Sequence, residues 1–285
     1  MDHEATCPTI SPVHCEQAEA QGNPIPSHQH HQEVLFATIS SNLLYSFNDQ
    51  WQIGMSLPFQ YRNIGIRYSL TDTGENYTPP YAGLHHRNET LYGLGDAEAY
   101  AQRFFTLDSL TVGIFFGSTI PIGKTEEDPY ALAVAGQEHQ HFQMGTGIFV
   151  PTTDVTVFYR QEKQGWIGKV RGEYSLYEND KFYKTGSAFR WDAGYWRVLS
   201  PRVLLLGQVK GDHEQPDTWR GLTAPFSGRH ALSGAISNTV RIRSNWELLF
   251  RAEQLLWVHS IVGEIEEEGG DFPLYTKFSF GVSWM

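Results

Sequence analysis

Apolar and polar residues alternate strictly along the last stretch of the chain. Phe278, Phe280, Val282 and Trp284 fall on one face, and the positions between them hold Ser, Gly and Ser. Because a β-strand turns successive side chains to opposite faces, this pattern predicts a strand with one apolar and one mostly polar side. We place this final strand at residues 274–284.

The same alternation recurs as a series of hairpins from Val34 onwards. The connections that link the paired strands are two to five residues long, which is typical of β-hairpins. About eleven strands can be counted, whereas bacterial single-chain barrels use an even number. We therefore expect about twelve strands, with one hidden in residues 62–91 or in the N-terminal segment. The hairpins are predicted at residues 34–62, 95–120, 154–177, 189–211 and 232–258.

Three features favour a membrane barrel over a soluble β-sandwich, which would show the same alternation. The strands reach the roughly nine to eleven residues that cross a bilayer, and Tyr and Trp lie near strand ends. The terminal strand, with an aromatic residue beside the end of the chain, resembles the C-terminal insertion signal of bacterial outer-membrane barrels. The prediction is an all-β fold, a transmembrane antiparallel β-barrel of about 12 strands over residues 34–285, in the bacterial outer membrane.

The amino-acid composition indicates which kinds of partner the protein can have. Only 19% of the 285 residues are charged, and the mean hydropathy of −0.38 suits a barrel that shows lipid at every second residue. The net charge of −11 argues against nucleic acid. The expected partners are outer-membrane lipid and a small-molecule solute, and the oligomeric state stays open.

The two ends of the predicted barrel differ. All tight turns lie at one end, whereas the long connections lie at the other, which in such barrels faces the exterior. Residues 1–33 have no periodicity and are expected to form an irregular, His-rich tail outside the barrel or a plug inside it. No signal peptide is visible, so an exported chain would carry the numbering of a mature form. The long connections are predicted at residues 69–91, 121–144, 178–187, 211–229 and 259–273.

Histidines cluster at the long-loop end, and imidazole binds Zn²⁺ and Cu²⁺ well. A multi-His metal site for Zn or Cu is one hypothesis, with Glu89 and Glu138 as carboxylate partners; loop histidines without a ligand are the alternative. Cys7 and Cys15 are expected to form a local disulfide, with a small metal site of these cysteines, His3 and His14 as the alternative. The candidate metal ligands are His28, His30, His31, His85, His86, His139 and His141.

The polar faces of the strands supply candidates for the lumen. An enzyme is not expected, because no Gly-x-Ser-x-Gly motif occurs and the adjacent Asp212-His213 pair has no Ser motif beside it. The leading function is a channel for a small solute, and the alternative is a non-conducting, metal-binding barrel whose lumen is filled by side chains. The lumen candidates are Arg62, Asp96, Glu98, Gln102, Arg160, Lys169, Arg171, Glu173, Arg190, Asp192, Arg241, Arg243, Glu247, Arg251 and Glu253.

Several segments resemble one family, the outer-membrane transporters associated with the meta-pathway of phenol degradation. The similarity lies in the hairpin Tyr45–Pro58, in Gly93-Leu-Gly-Asp96, in Ser118–Lys124 with Gly145-Thr-Gly147, and in Asn245-Trp-Glu-Leu. It covers residues 34–285 and implies an outer-membrane channel for small hydrophobic or aromatic compounds. The His-rich tail and loops depart from that pattern and support the metal alternative.

Overall fold

The structure is a computed structural model that describes residues 2–5, 25–80, 82, 88–139, 142–225, 227–262 and 275–284. It is dominated by β-strands with one short helix, α1. Within these residues no helix is long and apolar enough to cross a membrane. The strands are β1 Asp2–Ala5, β2 His28–Ser46, β3 Trp51–Leu70, β4 Glu89–Leu94, β5 Ala97–Leu107, β6 Leu110–Ile120, β7 Pro151–Gln161, β8 Gln164–Glu173, β9 Tyr183–Lys184, β10 Ala188–Ser200, β11 Val203–Glu214, β12 Thr218–Trp219, β13 Leu222–Thr223, β14 Arg229–Arg243, β15 Trp246–Ser260 and β16 Thr276–Trp284, and α1 is Pro129–Val134.

The main sheet is antiparallel throughout and follows chain order. Twelve strands form the continuous path β1-β2-β3-β5-β6-β7-β8-β10-β11-β14-β15-β16, and β4 pairs with β3 beside β5. The predicted fold, an all-β antiparallel structure of about twelve strands, is confirmed. Both places proposed for the missing strand hold at least part of one, since β1 lies in the N-terminal segment and β4 begins within residues 62–91 and continues to Leu94.

β4 and β5 act as one interrupted strand. β4 pairs with Phe59–Ile64 of β3 and β5 pairs with Trp51–Ser56, so the two cover neighbouring parts of the same partner. The break falls at Gly95 and Asp96, where the amide of Gly95 still donates to the carbonyl of Pro58. The packing there is close, since a Cβ on Gly95 would lie 2.3 Å from the end of the Gln60 side chain. The break leaves Asp96 outside the regular pairing.

At the end of the sheet that holds the long connections, the strands are longer than the sequence pattern predicted. β2 begins at His28 rather than Val34, and β3 extends to Leu70, because these segments pair with one another over their full length. The tight turns and long connections lie at opposite ends, as expected, and we call these the turn end and the loop end. The segment predicted to be an irregular tail or plug, residues 1–33, holds β1 and the beginning of β2, and its residues 6–24 lie outside the described residues.

The two faces of the sheet have opposite character. On β3 the side chains of Trp51, Ile53 and Met55 point outwards and are exposed, whereas the alternate positions are partly buried. The C-terminal strand follows the predicted pattern, with Phe278 and Trp284 exposed on the outer face. Rows of exposed apolar side chains are costly in water and favourable in lipid. The face that carries them is the outer face.

β1 and β16 end the path of the sheet, and because β1 covers only His28–His31, the rest of β2 forms the edge on that side. Among the described residues, β2 pairs with β1 and β3, and β16 pairs with β15. From Glu33 to Ser46 every residue of β2 is exposed, on both faces of the strand.

Candidate solute pathway

Charged side chains on the inner face pair with one another along the wall. Arg171 contacts both Glu98 and Glu173, and Arg190 contacts both Glu173 and Asp212. These five residues come from four strands, β5, β8, β10 and β11. They form a chain of alternating charges near the loop end, in which each internal member has partners on two sides.

The chain continues around the wall. Arg229 reaches both Asp212 and Glu214, at 3.4 and 3.5 Å. Lys210 donates to Glu253 at 3.0 Å, and Arg251 donates to the same carboxylate. Because partly buried charges are costly unless they are paired, this pairing stabilises a charged wall that faces the interior. With the Lys169–Asp154 pair, and with Asp192, which accepts a hydrogen bond from Gln208, these residues form what we call the ion-pair lattice. Its members are Glu98, Asp154, Lys169, Arg171, Glu173, Arg190, Asp192, Lys210, Asp212, Glu214, Arg229, Arg251 and Glu253.

The contacts of the lattice show how the sheet curves. Arg171 on β8 reaches Glu98 on β5 although β6 and β7 lie between them, and Lys210 on β11 reaches Glu253 on β15 across β14. Such contacts require a wall that is concave on this face. The lattice contacts join strands at most three positions apart in the sheet, so they follow the wall rather than cross the interior.

Below the lattice, towards the turn end, the inner faces of β10, β11 and β15 carry a group of apolar side chains. Trp196 of β10 lies opposite Leu206 of β11, and Leu204 lies opposite Val198 one step further down. Leu249 of β15 shares this face. The inner wall therefore changes from charged to apolar along its length before the Arg241–Glu247 pair near the turns.

Asp96 binds the connection between β6 and β7. Its Oδ1 accepts a hydrogen bond from the amide of Gly123 at 2.9 Å, and its Oδ2 accepts from the amide and hydroxyl of Thr146 at 2.7 and 2.8 Å. The fit is close, since a Cβ on Gly145 would lie 2.3 Å from Oδ1. One carboxylate thus ties both ends of this connection to the break between β4 and β5.

The segment tied by Asp96 lies inside the sheet. Phe142 packs against the inner-face cluster of Ile64, Ile66 and Tyr68, and the carbonyl of Met144 accepts a hydrogen bond from Gln60 of β3. The Arg62 guanidinium lies over the Phe142 ring at 5.9 Å. Residues 142–148, which we call the folded-in segment, therefore narrow the interior beside β2 and β3.

Three long connections form a cap at the loop end. Asp128 accepts hydrogen bonds from two amides at the start of α1 and from Arg220 in the turn between β12 and β13. The Tyr130 hydroxyl donates to the carbonyl of Pro225, and burial, followed by the nearby Asp217 and Asp128, raises the pKa of Tyr130 to about 12.

Within the cap, Tyr183 stacks on Trp219 at 4.8 Å. Its hydroxyl donates to Asp217, and burial followed by that carboxylate raises the pKa of Tyr183. The sequence pattern showed none of α1, β9, β12 and β13, because each is six residues long or shorter.

The structure brings most of the predicted lumen residues to one wall. Gln102 lies on the inner face of β5, whereas Arg160 and Arg243 lie exposed near the turn end. Sequence reasoning missed five members of the lattice, although the alternation marks the inward positions of their strands. Eight of the predicted residues belong to the lattice, namely Glu98, Lys169, Arg171, Glu173, Arg190, Asp192, Arg251 and Glu253, and the five that were missed are Asp154, Lys210, Asp212, Glu214 and Arg229.

The predicted histidines do not form a metal centre in the part of the chain that is described. His28 and His30 share the inner face of β2, where both are buried and ring contacts with Tyr68 and Tyr77 surround them.

Their neighbour His31 lies on the other face and bonds Ser69. His139 contacts the carbonyl of Gln137. No group of three or more His, Cys, Asp or Glu side chains placed to hold a metal occurs among the described residues. The other predicted ligands, His85, His86 and His141, lie outside the described residues, as do Cys7 and Cys15.

An antiparallel sheet with an apolar exposed face, a charged inner face and one long-loop end defines the fold of an outer-membrane β-barrel. Solved structures agree. The COG4313 outer membrane channel from Pseudomonas putida F1 is similar, with a TM-score of 0.51 and 11% sequence identity over 90% of this chain and 83% of that chain.

Two structures of the outer membrane protein OmpT from Vibrio cholerae are also similar. The loop L8 deletion mutant has a TM-score of 0.41 and the protein folded in vitro has 0.40; each is 8% identical and covers 90% of this chain. They cover 99% and 97% of those chains. No family model matches this chain, and no curated protein matches it. The channel from Pseudomonas putida F1 is an outer-membrane protein, and its likeness to this chain is one of fold.

Proposed function

We propose that this protein is an outer-membrane channel that passes a small solute and is not an enzyme. The observation that carries the proposal is the inner wall, where charges pair along the curve of the sheet, between strands at most three positions apart. A barrel filled by its own side chains would use cross-lumen contacts to close the space. Exposed apolar rows on the outer face require lipid, so the charged face is the one that meets water and solute.

The inner wall favours a solute with both a charged and an apolar part. The ion-pair lattice presents charged groups near the loop end, whereas Trp196, Leu204 and Leu206 present apolar surface nearer the turn end. A small aromatic acid has a carboxylate that suits the charged zone and a ring that suits the apolar zone. The resemblance to transporters associated with phenol degradation points to the same class of compound.

Conductance and uptake test the proposal together. The full chain, folded in detergent, is inserted into a planar bilayer, and we expect discrete conductance steps. The same protein in liposomes is then assayed for uptake of benzoate and of a neutral sugar of similar size. Faster uptake of benzoate supports the amphipathic solute, and equal uptake limits the proposal to a general channel. Absence of both steps and uptake would contradict a channel and favour the filled, non-conducting barrel.

A further inference from the structure

Three histidines that lie far apart in the sequence meet in one row at the loop end. His213 is near the end of β11, His230 is near the start of β14, and His259 is near the end of β15. The pairing register places His213 directly opposite His230, and His230 directly opposite His259. Residues opposite one another in an antiparallel sheet point to the same face. The three rings therefore lie side by side on three neighbouring strands.

This row is on the outer face, apart from the solute pathway. Asp212 and Arg229, the neighbours of His213 and His230 in the chain, point inwards, because they contact each other within the lattice. Since successive side chains of a strand alternate, the histidines beside them point outwards. On the same outer face, Trp257 lies two residues before His259 with its ring 6.2 Å away. Trp marks the membrane–water interface in such barrels. The histidine row therefore lies where water can reach it, and all three side chains are at least partly exposed.

The rings of His213 and His230 have the spacing of two ligands of one metal ion. Their Nδ1 atoms are 3.1 Å apart and their ring centroids are 4.5 Å apart. Two nitrogens that bind one ion at about 2.0–2.1 Å, with an angle of roughly 90–110° between them, lie about 2.8–3.4 Å apart. In the absence of a metal the same spacing is a hydrogen bond, in which one Nδ1 donates its proton to the other.

A third ring lies beside the pair on the next strand. The His259 ring lies 6.4 Å from the His230 ring and almost parallel to it, at 17°. It is not already converged on the pair, in agreement with the absence of a preformed three-ligand group among the described residues. Rotation of its exposed side chain, or water, would supply the remaining ligands.

We propose that His213 and His230 form a cross-strand chelate for a divalent transition metal, with His259 as the adjacent third ligand. Imidazole ligands favour Cu²⁺ over Ni²⁺ and Zn²⁺ in intrinsic affinity, so Cu²⁺ is the most sensitive probe. The bound ion links β11 to β14 at the outer rim and displaces the proton shared by the two rings. The site is separate from the solute pathway and stands whether or not the protein conducts.

The test is Cu²⁺ binding by the full chain folded in detergent, followed by electron paramagnetic resonance. The test variant is His213→Gln with His230→Gln. The matched control, His28→Gln with His30→Gln, removes two neighbouring histidines of the inner face. We expect the test variant to lose one Cu²⁺ equivalent whose spectrum shows nitrogen ligands, and the control to retain it. Folding of each variant is checked by heat-dependent mobility on a gel.

A second measurement separates the site from other histidines of the chain. Because a bound ion joins two strands, Cu²⁺ should raise the temperature at which the wild type and the control lose their folded mobility. The test variant should show no such rise. The proposal is overturned if wild type and test variant bind equal amounts of Cu²⁺ and show an equal rise in temperature. It is also overturned if only the control loses the bound Cu²⁺ equivalent.

Discussion

The loop end and the turn end of this sheet are built in different ways. At the loop end, segments far apart in sequence are joined by side chains, as when Asp96 binds Gly123 and Thr146. At the turn end, connections of two to four residues join strands that are already neighbours, and apolar side chains of β10 and β11 face the interior. Contacts between distant segments can be lost without losing the sheet. We therefore expect function to depend on the loop end and stability of the sheet to depend on local pairing.

The largest effect is expected when the folded-in segment at the loop end is released from the wall. Asp96→Ala removes three hydrogen bonds to the β6–β7 connection while leaving every strand pairing in place. We expect single-channel conductance to rise several-fold, because residues 142–148 no longer narrow the interior. The matched control is Asp49→Ala, an exposed carboxylate in the turn between β2 and β3. Unchanged conductance in Asp96→Ala would show that the segment is held by its packing alone.

The next prediction compares two arginines of the inner wall. Arg190→Met removes the cation that Glu173 and Asp212 share. Arg241→Met removes a single ion pair, with Glu247, that is more exposed to solvent. We expect Arg190→Met to make the channel more cation-selective, seen as a shift of the reversal potential in a KCl gradient. It should cost on the order of 1–2 kcal/mol of stability, since the site is only partly buried.

For Arg241→Met we expect a loss of under about 1 kcal/mol, as for other exposed pairs. Selectivity that changes equally in both variants would contradict a special role for the lattice.

A third prediction tests the apolar zone of the inner wall. Trp196→Ala removes a large ring that faces the interior, and we expect about a twofold change in benzoate uptake with little change for a neutral sugar. Trp191→Ala is the control, because that ring lies on the outer face of the same strand and is exposed. Equal effects on both solutes would mean that the ring sets only the width of the passage.

The smallest effect expected concerns the cap at high pH. With the pKa of Tyr130 raised to about 12, the folded state holds its proton more tightly than the unfolded state does. Its contribution is therefore complete below about pH 10 and is lost as the pH rises towards 12. Absorbance at 295 nm should show that Tyr130→Phe removes one late-titrating tyrosine. A titration curve that is identical in the variant would contradict the assignment.

The strands and tight turns could be predicted from the sequence, because each strand shows the alternation of apolar and polar residues. The final strand, the turn positions and the inward residues such as Glu98 and Arg171 follow from a period of two. The pattern could not show which distant residues meet. The histidine row illustrates this, since adjacent histidines at 28–31 were the natural candidates, yet pairing register brings His213 to His230. Likewise, Asp96 could be named as a polar residue but not as the partner of Thr146.

The order of the strands has a consequence for how this sheet is assembled. Each pairing on the path joins a strand to the next long strand along the chain, so the sheet can grow by one hairpin at a time at low cost in chain entropy. Any contact between β16 and the part of β2 that β1 does not cover would instead bring together residues 32–46 and 276–284. We expect such a seam to form last, which would leave β2 exposed as a template until the C-terminal strand has been made.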